Sequence, residues 1–463
     1  MTNRVQMDWV LFWTILILVS LGLVMVYSTT ALIDELRIKD DSNLHTPYVP
    51  EKAPPKDPAA AERRVLVNRI VAVAAVTVVL FLLLRRFRQR LINRRWLLTA
   101  VAASALLLAL VFLQDPLKPA HYDSLLRQAT AALGGFLLLM ILSQRDYRLL
   151  ATPQAAFLSL GVVISLLILV IFTDKDAHRW LRFGISLQPS EFAKPALIVF
   201  LAWFVSARGD VNNRYTMWPA SLVMLFLGGL IVYPDFGTAM VLVVTAATVF
   251  YLAGLQWRYT LTAAALALVL IAVAILARPH RLKRVIDFVD PQYRYLVYLD
   301  PSKRLLDRAA QAKVSDTRYQ PEQSILAVGP GGIFGRGLMQ GRQKHLFLPQ
   351  PQSDYIFATL AEELGLVGST FVLLLFGVIG WRGFRLYLTA ADPFGRYLAL
   401  GVTTCVLFQA FLNLSVVLDL GPTKGIPLPL ISFGGSSMLA SLIMLGLLLS
   451  VSQRALRAPW GSE

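Results

Sequence analysis

The chain has 463 residues, 56% of them hydrophobic and 16% charged, with a formal net charge of +16 and a mean hydropathy of +0.60. A water-soluble domain cannot hide that much apolar surface, and much of the arginine excess sits in short loops between apolar runs, so the charge does not call for nucleic acid. The single cysteine, Cys405, excludes an intramolecular disulfide, and the five scattered histidines include no pair at metal-ligand spacing.

A bilayer core of about 30 Å needs roughly 20 apolar residues in a helix. Twelve such runs follow one another, near 9–28, 69–84, 97–113, 126–143, 154–172, 192–206, 217–232, 238–255, 260–277, 356–380, 394–416 and 437–452. The prediction is an all-α polytopic integral membrane protein with about 12 transmembrane helices, forming a single membrane domain over 1–463. The first run has no small-residue cleavage motif and reads as a span. RRFRQRLINRR (85–95) carries six arginines and no acid, which assigns it to the cytoplasmic side. Parity then places 144–148, 207–214, 255–258, 381–387 and 453–457 on that side, each with at least one arginine, and both termini with them.

Two loops on the opposite side stand out. Residues 29–68, with six basic and seven acidic side chains and a proline-rich middle, read as a flexible outer loop. Residues 278–355, between the ninth and tenth spans, hold thirteen Lys/Arg against seven Asp/Glu. Long loops escape the positive-inside rule, so topology does not account for this excess, and an anionic ligand is one explanation. Its fragments RVIDFVDP, YRYLVYLDP and RLLDRAAQA are amphipathic and are expected to lie on the membrane surface. No internal repeat relates two halves, which argues against a transporter.

Ionisable groups at or inside apolar spans are expensive and therefore informative. In HRWLRFGISLQPSEFAK (178–194), Glu191 and Lys194 are three residues apart on a helix and can neutralise each other, either pinning that helix or shaping a cavity. In YPDFGT (233–238), Asp235 either caps the helix that follows or serves a site as well. GPTKGIPLPLISFGGSS (421–437) carries one cation, Lys424, on irregular backbone. At membrane depth such backbone is a cavity wall or a buried connector. In LPQPQSDYIFATLAEELG (348–365), Asp354 stands at the start of an apolar helix, favoured there by the dipole or by function. Arg179, Asp235, Asp354 and Lys424 all fall on the same outer side, which one polar cavity explains together. The glycines of QSILAVGPGGIFGRG lack a following Gly-Lys-Ser/Thr and make no phosphate loop.

These stretches, together with DWVLFWTILILVSLGLVMVYST at the start, resemble the signature segments of the SEDS family, that of FtsW, RodA and SpoVE. The resemblance runs from residue 8 to about 453. It implies a peptidoglycan glycosyltransferase that polymerises lipid II at the outer face of the bacterial cytoplasmic membrane. A class B penicillin-binding protein is the implied partner, beside other membrane proteins of division or elongation. The family's motif aspartate is Asp354 here. Arg179, Glu191, Lys194, Asp235, Gln323, Lys424 and Ser436 fall in matching segments and are expected to line the cavity. Thr-Lys-Gly before Pro-Leu-Pro is similar to FtsW more than to RodA, favouring division over elongation. A family core of ten spans leaves an extra helix pair within 69–143, and YRYLVYLDPSKRLLDRAAQ lengthens the outer loop.

The chemistry suits this constellation. A glycosidase needs two carboxylates because a sugar alkoxide must be protonated as it leaves. A pyrophosphate leaves as a stable anion, so one base suffices, and the leaving group needs positive charge instead. Asp354 is the expected base; Arg179, Lys424, Arg336 and Arg342 are the expected pyrophosphate ligands. A divalent cation, Mg or Mn, is compatible with this scheme. Glu362 and Glu363, roughly 12–14 Å further along the helix at 1.5 Å per residue, are expected to serve packing or a cation site. Three other readings compete: a lipid II flippase with no use for a base, a non-catalytic division scaffold, and an O-antigen-ligase-like enzyme.

Overall fold

The computed structural model describes residues 7–30, 123–174, 179–183, 185–208, 211–232, 234–290, 318–344 and 347–455. Within them, ten helices coincide with ten of the twelve apolar runs: α1 (Trp9–Thr30), α2 (Asp123–Gln144), α3 (Pro153–Thr173), α4 (Pro189–Ala207), α5 (Arg214–Val232), α6 (Phe236–Leu252), α7 (Trp257–Leu276), α10 (Ile356–Thr389), α11 (Pro393–Val417) and α12 (Gly435–Ala455). Two shorter helices, α8 (Pro279–Val289) and α9 (Tyr319–Val328), belong to the long loop. The runs near 69–84 and 97–113 lie outside the described residues. So do most of the 29–68 loop and the segment 293–311.

Seven of these helices are long and apolar enough to cross a membrane by length and composition, and Trp218–Val232 and Phe236–Leu252 are shorter apolar helices. The protein is a polytopic helical membrane protein. Local chemistry sets the helix starts. Thr152 and Asp392 cap α3 and α11, accepting from Ala155 N and Gly395 N at 3.3 and 2.8 Å, and each is followed by a proline at the first helical position.

Two cores meet at α4 and α11. One joins α1, α2, α10, α11 and α12; the other joins α3, α4, α5 and α6. Helix α4 is apolar nearly all round and mostly buried, as a central helix must be. The helices alternate in direction. At one end of the bundle lie the ion pairs Asp8–Arg382, Arg148–Asp392 and Asp146–Arg454. The opposite end gathers residues 179, 235, 354 and 424, as parity requires.

Two details go beyond the sequence reading. The all-α expectation holds, and one local addition to it is a small antiparallel hairpin, β1 (Leu181–Phe183) with β2 (Ile185–Leu187), pairing Leu181 with Leu187. Its cause is the period-two alternation Leu181, Phe183, Ile185, Leu187. The run 356–380 is not one continuous helix: α10 breaks at Gly365, where φ is 67° and ψ −162°.

Candidate functional site

The polar end of the bundle is built around two carboxylates and three cations. Asp235 caps α6, with Thr238 N donating to Oδ1 at 3.2 Å. Its other oxygen, Oδ2, accepts from Thr238 Oγ1 at 2.8 Å, Gln188 Nε2 at 2.8 Å and Ser190 Oγ at 3.1 Å, and faces Arg179 Nη2 at 3.6 Å. Burial pushes the Asp235 carboxyl up, but Arg179, the Thr238 bonds and Lys194 together hold it below the usual carboxylate value. Asp235 therefore caps α6 and also gathers Gln188, Ser190 and Arg179 around it.

Asp354 precedes α10 and is part-buried. Its carboxylate rests against Gly425, where a Cβ would come within 2.6 Å of Oδ2. Burial raises its pKa above the ordinary value; Arg179 and Arg284 oppose this and the Asp235 charge adds to it. The Asp354 carbonyl accepts from Asn413 Nδ2 at 2.8 Å, and the same amide nitrogen donates to Ile426 O at 2.7 Å. Ser432 Oγ donates to Ser353 O at 2.6 Å, and Phe433 N to Gln352 O at 2.8 Å. Segment 421–434 is thereby stitched along the stretch that carries Asp354. It is held firmly against that stretch and is no loose connector.

Lys424 extends over the Phe236 ring, 3.8 Å from its centroid, with Met240 Sδ at 3.6 Å. These soft contacts leave an ammonium with no carboxylate in salt-bridge range among the described residues. Burial lowers its pKa to about 7, against the pull of Asp235 and helped by Arg281, Arg284 and Arg179. Arg284, on α8, reaches Thr423 O at 3.5 Å. Arg179 is about one-third exposed, and its Nε is buried with no hydrogen-bond partner among the described residues.

Beneath this layer Lys194 Nζ bonds Glu191 Oε2 at 2.8 Å and Gln409 Oε1 at 2.6 Å, and Gln409 Nε2 donates to Pro427 O at 2.8 Å. The pair is 2% exposed on both sides, so it shapes the wall from below. Ser436 Oγ accepts from Gln188 N at 2.9 Å, linking α12 to the Asp235 hub.

The chain resembles known proteins closely enough to assign a family. The model for cell cycle proteins of the FtsW, RodA and SpoVE type matches residues 90–456. The chain belongs to that family. A probable peptidoglycan glycosyltransferase FtsW of Geobacter sp. (strain M18) is 35% identical over 336 residues, 71% of this chain and 86% of that one. Stage V sporulation protein E of Bacillus subtilis (strain 168) is 38% identical over 281 residues, 60% and 72% of the two chains. A solved structure concerned with the structural coordination of polymerization and crosslinking by a peptidoglycan synthase complex aligns with a TM-score of 0.58 at 28% identity, covering 78% of this chain and 98% of that one. A mutant of the rod shape determining protein RodA of Thermus thermophilus aligns with a TM-score of 0.50 at 26% identity, covering 73% and 90%.

Within this member of the FtsW, RodA and SpoVE family, not every sequence candidate joins the cluster. Gln323 is half-buried on α9 and makes no hydrogen bond to it; its neighbour Ser324 instead ties α9 to Val417 O of α11 at 2.7 Å. Arg336 pairs with Glu362 at 2.9 Å, so it is already engaged, whereas Arg342 is exposed and only its backbone N reaches Glu362, at 2.7 Å. Glu363 accepts from Lys344 Nζ at 2.6 Å and from Ser28 Oγ at 2.7 Å. The two glutamates therefore clamp the loop 336–344 onto α1 and α10, the packing role expected of them.

The donor set does not fit a divalent ion held by protein groups alone. No three His, Cys, Asp or Glu side chains converge among the described residues. Of the two carboxylates present, Asp235 is already occupied by Arg179 and three side-chain donors.

Sequence reasoning missed Arg284, Gln409 and Asn413. A signal existed for the last two: amide side chains four apart in an apolar run share one helix face and need partners there. Arg284 was one cation in PHRLKR, and nothing local distinguished it.

Proposed function

We propose that this chain is a peptidoglycan glycosyltransferase that polymerises lipid II, acting from the outer face of the bacterial cytoplasmic membrane, with both termini inside. Asp354 is the general base. It takes the proton from the attacking hydroxyl of one lipid-linked disaccharide as that oxygen attacks the anomeric carbon of another glycan carried on a pyrophosphate. The C–O bond to the pyrophosphate breaks, and the leaving anion needs no proton. Arg179, Lys424 and Arg284 balance its charge, the work that oriented cations do best in a site screened from water. Asp235 holds Arg179; Glu191, Lys194, Gln409 and Asn413 position the wall.

The observation that carries this reading is the Asp354 carboxylate, set against Gly425 and in coulombic reach of two arginines, with its pKa raised by burial and by the neighbouring Asp235 charge. A base poised nearer neutrality than an ordinary aspartate is what proton abstraction favours. The names of the relatives support division, with elongation as the alternative role. The complex among the structural neighbours supports a class B penicillin-binding protein as partner.

The test is polymerisation of purified lipid II in the presence of the cognate transpeptidase and a divalent cation, comparing wild type with Asp354→Asn. The variant should lose about 10²–10⁴-fold in rate while keeping its melting temperature. Equal product from both would remove Asp354 from the mechanism. Transbilayer movement of lipid II without polymer from either protein would instead favour a flippase.

A further inference from the structure

The turn at residues 331–337 carries an apolar tip that the described molecule leaves uncovered. Ile333 is 60% exposed and Phe334 82%, the highest value for any large hydrophobic side chain among the described residues. Yet the turn is firmly held. Leu366 N donates to Gly332 O at 2.9 Å and Val367 N to Ile333 O at 3.1 Å. Arg336 N and Gly337 N donate to Glu362 O and Glu363 O, both at 3.0 Å. These bonds close over the break at Gly365, and the backbones meet so tightly that a Cβ at residue 335 would lie 2.1 Å from Glu363 O. Leaving two large apolar side chains in water forgoes the stabilisation that burying them would give. A rigid mount for such a tip makes sense if something apolar receives it.

The mount itself says what that is. It sets the tip beside Leu366 and Val367, themselves 62% and 54% exposed, where the second part of α10 begins. That part, 366–389, covers roughly 36 Å at 1.5 Å per residue and spans a bilayer core of about 30 Å without help from the residues before it. Val367, Phe371 and Leu374 share one helix face, and all are exposed. The apolar surface of the tip is thus continuous with a face that lipid covers. The exposed Arg342 follows the tip and suits a phosphate headgroup.

We propose that the Ile333–Phe334 turn is an interfacial anchor that enters the bilayer leaflet at the site end of the bundle, its partner being phospholipid. Glu362 and Glu363 grip the turn eight and nine residues after Asp354, so the anchor also fixes the height of Asp354 relative to the membrane surface.

Cys405 is fully buried, so a Phe334→Cys variant presents its only accessible thiol at position 334. It would be labelled with an environment-sensitive fluorophore and placed in nanodiscs of phosphatidylethanolamine and phosphatidylglycerol. The expected result is blue-shifted emission, loss of most intensity with lipids carrying a quencher high on the acyl chain, and little effect of aqueous iodide. Strong iodide quenching without lipid quenching would overturn the proposal. So would emission that shifts only when the partner transpeptidase is added, since the tip would then be a protein-docking surface. Should Phe334→Cys melt early, Ile333→Cys carries the same readout.

Discussion

The Asp354 carboxylate and the backbone of Gly425 face each other so closely that a methyl group on residue 425 would sit 2.6 Å from Oδ2. Gly425→Ala should therefore displace the carboxylate without unfolding the bundle. Misplacing a reacting group by about 1 Å can cost about 10²-fold in rate. Lipid II polymerisation by this variant is expected to fall by that order, with an unchanged melting temperature. An active Gly425→Ala protein would show that Asp354 need not sit where it does.

The pH profile of kcat/KM should be bell-shaped, because it reports the free enzyme's base and its cation. Asp354 works only when deprotonated, so activity rises through a pKa that burial has raised above the ordinary aspartate value. Lys424 helps only when protonated, so activity falls again as pH passes about 7. Lys424→Arg keeps its charge at all accessible pH and should move the alkaline limb upward. An unmoved limb would exclude Lys424 as its source.

Glu191 and Lys194 neutralise each other in a part of α4 that water does not reach. Removing one partner strands the other: Glu191→Gln should destabilise the protein by about 3–5 kcal/mol. Replacing both together, Glu191→Leu with Lys194→Met, should recover much of that loss. It should still reduce polymerisation, since Gln409 loses the ammonium that orients it toward Pro427 O. Thermal melting in detergent beside the polymerisation assay separates the two effects.

Gly365 occupies a region of backbone space, φ 67° and ψ −162°, that side chains other than hydrogen essentially do not tolerate. Gly365→Ala should cost about 1–3 kcal/mol in backbone strain alone. The clash of the new methyl with Gly335 N, at 2.2 Å, adds to this and should detach the turn. Faster protease cleavage after Arg336 and Arg342, beside a lowered melting temperature, is the expected signature.

Apolar runs were legible in the sequence because a bilayer imposes one length and one composition on every span. Ten of the runs are helices here, and the shared side of Arg179, Asp235, Asp354 and Lys424 followed from counting alone. What escaped was anything decided by contact across the fold. Asp235 reads as a cap because Thr238 is three residues away, but the Gln188 and Ser190 bonds that make it a hub cross 45 or more residues of chain. Arg336 looks free until Glu362 is seen to hold it. The break in α10 was hidden because Gly365 lies in an otherwise unbroken helical pattern, and only its positive φ reveals it.

Asn413 donates from one amide nitrogen to the carbonyls of both Asp354 and Ile426, from the buried face of the last turns of α11. One side chain thus acts as a calliper between the stretch bearing Asp354 and the stretch bearing Lys424. Their separation is set when the chain folds, before any lipid arrives. Substrate binding then has no loose segments to order at this point, and its energy remains for bringing two bulky glycans into line. An enzyme that must hold a growing polymer and meet a new monomer at every cycle gains most from charges that are already in place.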